Sequence, residues 1–143
     1  MTKSIRREIV YPQSREEVWR ALTDSAILAE WLMPNDFEPR VGHRFTFRTQ
    51  PNPQAGFDGV VHCEVLECVP PSRLTYSWAG GGIETRVSYR LEPEGNGTRL
   101  SFEQTGFDLS QPWGDAALRG AEAGWDRMLE QLGSVIEGLA ARR

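Results

Sequence analysis

Residues 113–142 read WGDAALRGAEAGWDRMLEQLGSVIEGLAAR. Leu118, Ala121, Trp125, Met128, Leu129, Leu132, Val135, Ile136 and Leu139 recur at helical spacing and fall within roughly 120° of arc, a single apolar stripe. Asp115, Arg119, Asp126, Arg127, Glu130 and Glu137 take the other side. A helix of about 26 residues is about 39 Å long, enough to lie diagonally across a whole sheet. Gly120, Gly124, Gly133 and Gly138 interrupt the pattern, each at a cost of about 1 kcal/mol against Ala. Gly124 and Gly133 flank the stripe, which predicts close approach to the sheet.

The sheet for that helix precedes it. His43, Phe45, Phe47 and Thr49 alternate with Arg44, Thr46 and Arg48, the two-residue period of a half-buried strand. Phe57–Val69 reads as a long strand with a bulge expected at Gly59. After Pro70-Pro71-Ser72, Leu74, Tyr76 and Trp78 alternate with Thr75 and Ser77. Beyond the Gly80-Gly81-Gly82 tip, Ile83, Thr85, Val87, Tyr89 and Leu91 alternate with Glu84, Arg86, Ser88 and Arg90. Asn96-Gly97 is a hairpin signal, and Thr98–Thr105 follows with Leu100 and Phe102 inward. Short connections imply an antiparallel meander with one face covered and one wet.

At the start, Ile5–Tyr11 reads as another strand. Ser14 and Glu17 form a capping box before Val18, Trp19, Ala21 and Leu22. Thr23-Asp24-Ser25 caps a second short helix carrying Ile27, Leu28, Trp31 and Leu32, which Pro34 ends. The fold class is therefore α+β, a curved antiparallel sheet of six or seven strands under one long helix, in a single domain spanning 1–143.

Composition narrows the function. The chain has 143 residues and a net charge of −4, which argues against a nucleic-acid footprint. No apolar run reaches the roughly 20 residues of a bilayer span, and no secretory signal opens the sequence. Cys63 and Cys68 are five apart in one strand, so alternation predicts opposite faces and no disulfide. A cytoplasmic location is the expectation. With His43 and His62 the cysteines show no zinc spacing, and no cofactor motif is present.

Several stretches carry a family resemblance. Val18-Trp19-Arg20-Ala21-Leu22-Thr23-Asp24 resembles the opening motif of the START-like superfamily. Trp31-Leu32-Met33-Pro34, Pro70 to Trp78, Gly97 to Phe102, and Gly124-Trp125 with Leu129 and Leu132 resemble its later motifs in the same order. Together they are similar to bacterial members of the heat-shock-protein-90 ATPase activator-like family within the polyketide-cyclase and START-like superfamily. The resemblance implies a helix-grip fold. Two departures are Leu32, where a second Trp is common, and Gln104, where many members have His.

Five Trp, three Tyr and six Phe exceed what a core of this size needs. A helix gripping a curved sheet leaves room for a mostly apolar pocket. Its expected lining is Trp31, Phe45, Phe47, Tyr76, Trp78, Phe102, Trp125 and Met128, with Phe37, Phe57 and Trp113 at the mouth. The leading expectation is binding of a small apolar or aromatic molecule there. One alternative is a cyclase- or hydrolase-like enzyme in which His62 and Glu64, two apart on one strand face, move protons. That needs their face to look inward, whereas Val61, Cys63 and Val65 make the more apolar face. His43 is expected at the rim. A third reading is a protein-interaction module acting on a chaperone, which needs an exposed apolar patch. A homodimer is also expected.

Overall fold

A computed structural model describes residues 2–53, 57–110 and 114–141. The elements are β1 (Thr2–Tyr11), α1 (Arg15–Thr23), α2 (Ser25–Trp31), β2 (Arg44–Arg48), β3 (Val60–Val69), β4 (Arg73–Gly80), β5 (Ile83–Glu94), β6 (Gly97–Asp108) and α3 (Gly114–Ala141). All strand pairs are antiparallel, in the order β1-β6-β5-β4-β3-β2. This is the α+β helix-grip fold, with six strands among the described residues. The meander holds from β2 to β6. β1 departs from it by pairing with β6, so α1 and α2 carry the chain from one edge of the sheet to the other.

Local chemistry sets the helix starts. The Ser14 hydroxyl accepts from Glu17 N–H at 3.3 Å, and the Asp24 carboxylate accepts from Ala26 and Ile27 N–H, each satisfying donors that the first turn leaves free. On α3, Leu118, Trp125, Leu129, Leu132, Val135 and Ile136 are buried, and Ala121, Met128 and Leu139 are half-buried against them. The helix runs closest to α1, α2, β1 and β6. Large rings fill the space over β2 to β4. Close approach does not explain the interior glycines of α3. A Cβ at Gly133 would sit 3.6 Å from the Tyr11 ring, an ordinary contact, and at Gly120 or Gly138 it would meet nothing within 4 Å.

Three details differ from simple alternation. Gly59 is not a bulge within β3. It turns the chain before β3 at φ 85°, where a Cβ would lie 2.6 Å from the Thr49 carbonyl oxygen. Phe57 therefore lies outside the strand, bridged to Asn52. The bulge of β3 falls at Leu66, between Val65↔Tyr76 and Glu67↔Thr75. It reverses the alternation, so Cys68, opposite Leu74, lies on the same face as Cys63, opposite Phe45. The expectation of opposite faces is thus corrected; both thiols are free. A second bulge, at Gly106 with φ 105°, turns Phe107 into the core. The β5–β6 turn is centred on Gly95 and Asn96 rather than on Asn96-Gly97: Glu94 pairs with Gly97, and the positive φ is at Gly95.

Candidate functional site

The inward face gathers the rings into one connected row. Phe37 meets Phe45 edge-on at 5.1 Å, and Phe45 meets Phe47 and Tyr76, each at 5.3 Å. Tyr89 lies 5.9 Å from Tyr76, 5.6 Å from Phe102 and 6.4 Å from Trp31. Trp125 of α3 closes the row at 4.4 Å from Phe102 and 5.3 Å from Trp78, which also lies 5.4 Å from Phe47. Such tilted and edge-on contacts suit the ring quadrupoles.

Of the expected lining, Trp31, Phe37, Phe45, Phe47, Tyr76, Phe102 and Trp125 are buried and in this row. Trp78, between Phe47 and Trp125, is half-buried, Met128 is half-buried against the core, and Phe57 is half-buried over Gly80. Trp113 lies outside the described residues. The rings pack on one another, and their polar tips bond within the protein. Tyr76 and Tyr89 hydroxyls share a hydrogen bond of 2.8 Å, and Trp31 Nε1 donates to the Ala21 carbonyl at 2.8 Å. Burial pushes both tyrosine hydroxyls well above their ordinary pKa and raises the Cys63 thiol likewise.

Sequence reasoning left two members out of the site. Tyr89 alternates inward with Val87 and Leu91, and that signal could have placed it. Gln104, 1% exposed, sits two residues beyond Phe102 on the inward face. Its Oε1 accepts from Trp125 Nε1 at 2.7 Å, and its Nε2 donates to Thr85 Oγ1 at 2.8 Å. Thr85 in turn donates to the Trp78 carbonyl at 3.1 Å. A polar residue at an inward position was the readable sign.

His62 and Glu64 are on the other face. His62 is exposed and stands between Thr46 and Ala79 of the neighbouring strands. The Glu64 carboxylate takes the Arg44 guanidinium at 3.3 Å. The enzyme reading needed this pair turned inward, and alternation with buried Val61, Cys63 and Val65 turns it out. His43 is at the rim as expected. Its Nε2 donates to the Asp36 carbonyl at 2.9 Å, and its ring stacks on Phe45.

A cleft of about 620 Å³ opens at the tip of β4 and β5, between the outward-facing His62, Ala79 and Glu84, the tip residues Gly80, Gly82 and Ile83, the end of β6 at Gly106 to Asp108, and Gly114. This is the end of the sheet where Trp78 is half-buried. Among the described residues no helix is long and apolar enough to cross a membrane.

The chain matches known structures along nearly its full length. It is 34% identical to protein MLL2253 of Mesorhizobium loti, with a TM-score of 0.84 over 94% of this chain and 97% of that one. CalU16 of Micromonospora echinospora is 29% identical, with a TM-score of 0.76 over 99% and 80%. The Aha1 dimer of Colwellia psychrerythraea shares the fold at 21% identity, with a TM-score of 0.77 over 94% and 96%. No curated protein is matched. Residues 12–137 match the model of one family, and that span holds the helix caps, the ring row and the Gln104 pair. The chain belongs to the family described as Activator of Hsp90 ATPase homolog 1-like protein.

Proposed function

We propose that the protein binds a small apolar or aromatic molecule between α3 and the sheet, beside Trp78, Trp125 and Met128. One observation carries this reading. The rings are closed around Tyr76 and Tyr89, yet Trp78, which bridges Phe47 and Trp125, is only half-buried. Trp78 immediately precedes Ala79 and Gly80, which line the 620 Å³ cleft. A flat aromatic ligand would extend the same ring-on-ring contacts, and Met128, unbranched and adaptable, is suited to yield space for it. Because the interior rings already touch, uptake proceeds by displacing side chains beside Trp78.

Native mass spectrometry of the purified protein, followed by titration with an apolar fluorescent dye, tests the reading. An adduct mass, or dye uptake that quenches tryptophan emission and is weakened in Trp78→Ala, is the expected result. A bare mass together with no dye uptake would overturn it.

A further inference from the structure

The outward face of the sheet, away from the ring row, has a cleft of its own. Thr75 of β4, Ser88 of β5 and Ser101 of β6 alternate outward and are half-buried. These short side chains make the floor of a cleft of about 570 Å³, and longer charged side chains stand around it. Two of those are arginines directly opposite one another, Arg73 on β4 and Arg90 on β5. Like charges in facing positions repel, so sheet stability supplies no reason for this pair. The carboxylates of the cleft do not neutralise it. Glu103 takes the Arg6 guanidinium, and Glu8 lies 3.6 Å from Arg99. Glu67 lies 3.8 Å from Arg73, within reach of charge attraction but too far for a hydrogen bond. Glu92, two residues beyond Arg90, stands opposite Arg99. The Arg90 guanidinium has neither an ion pair nor a hydrogen bond among the described residues. Beside it, the Ser88 hydroxyl accepts from Thr75 Oγ1 at 3.2 Å, which leaves its own hydrogen to give. Ser101, opposite Arg90 on β6, has an unpartnered hydroxyl among the described residues.

We propose that Arg73 and Arg90 hold a phosphate group over Ser88 and Ser101, in an anion site on the face of the sheet opposite the ring row. A guanidinium presents a planar fork of N–H donors that matches phosphate oxygens two at a time. A phosphate between the two arginines turns their repulsion into a bridge, and its further oxygens accept from the two serine hydroxyls on the floor. A carboxylate fits less well, because its single charge and two oxygens satisfy one of the two guanidiniums. The group recognised is the phosphate itself, free or carried on a small molecule. The site uses none of the ring side chains, so it stands or falls separately from apolar binding under α3.

Titration of the full chain with inorganic phosphate, followed by amide NMR shifts at constant ionic strength with chloride as the reference salt, tests this. Saturable shifts are expected at residues 73–75, 88–90 and 101–103. Arg90→Gln should weaken phosphate binding at least about tenfold, as loss of a charge-assisted contact does. Because it also relieves the facing-arginine repulsion, Arg90→Gln without phosphate should melt no lower than wild type, which separates lost binding from lost folding. Arg86 shares the outward face of β5 but stands opposite Ser77 and Thr105, outside the cleft. Arg86→Gln should therefore leave phosphate binding unchanged. Glycerol 3-phosphate distinguishes the sources: affinity equal to that of inorganic phosphate indicates the free ion, and tighter binding at the same amides indicates a phosphate carried on a small molecule. Shifts no larger than those in chloride, an Arg90→Gln variant that binds like wild type, or equal losses from Arg86→Gln and Arg90→Gln would each overturn the proposal.

Discussion

Trp125 Nε1 donates to Gln104 Oε1 at 2.7 Å, so the long helix is tied to the sheet by a polar contact inside an otherwise aromatic interior. Gln104 passes the contact on to Thr85. Replacing it with Leu leaves an indole N–H without its acceptor, and a buried unsatisfied group costs about 1–3 kcal/mol. Gln104→Leu should lower the urea midpoint with little change in slope. An unchanged midpoint would show that the contact contributes nothing.

Tyr76 and Tyr89 form a closed pair, each hydroxyl partnering the other at 2.8 Å. Tyr76→Phe or Tyr89→Phe alone strands the remaining hydroxyl and should cost about 1–3 kcal/mol, while the double replacement removes both groups and should cost much less than the sum. A double-mutant cycle in urea would measure a coupling of this sign. Additive losses would contradict it.

Tyr11 is the opposite case. Its hydroxyl is buried and finds no hydrogen-bond partner among the described residues. Tyr11→Phe removes a desolvated group without removing a bond, so stability should hold or rise by up to about 1 kcal/mol. A loss larger than that would mean the hydroxyl is satisfied in solution.

Burial raises the pKa of all three tyrosines, Tyr11 to about 12. The unfolded chain releases these protons near pH 10, and the folded chain retains them. Their contribution to stability is therefore complete below about pH 10 and falls as pH rises above it. Phenolate absorbance should lag behind that of free tyrosine and then appear together with unfolding. Tyrosines that titrate near pH 10 in a chain still folded by circular dichroism would refute this.

Gly120 and Gly138 occupy helix positions where an added Cβ meets no atom within 4 Å. Gly120→Ala and Gly138→Ala should each stabilise the protein by about 0.4–1 kcal/mol. Thermal melts would register this as a rise in Tm. A fall would point to a contact made at these positions in solution.

The inward positions of the strands and the stripe of α3 were readable because alternation and helical period come from burial on one face. Phe45, Phe47, Tyr76, Trp78 and Phe102 all stand where that pattern puts them. The bulges at Leu66 and Gly106 were not readable, since a bulge is a relation between two strands and shows only in their pairing. The Glu94-Gly95-Asn96-Gly97 stretch offers two adjacent turn placements, and cross-strand partners such as Glu92↔Arg99 decide between them. The ring count foretold one aromatic assembly but not whether its members would touch or stand apart. That depends on tilts of single rings, set by neighbours far away in sequence. The bond from Gln104 to Trp125 joins two elements that only the finished fold brings together.

The pairing of β1 with β6 also has a consequence in time. The ladder runs from Tyr11↔Thr98 to Thr2↔Asp108, so β1 is made before every other described strand, and the strand it pairs with, β6, is the last of them. At roughly 5–20 residues per second, β1 leaves the ribosome several seconds before β6 exists. α3, whose Asp126 takes the Arg7 guanidinium at 2.7 Å, follows later still. Such non-local contacts slow folding, and this sheet can be completed only once β6 has been made. In the interval the backbone groups of β1 that β6 will take stand open.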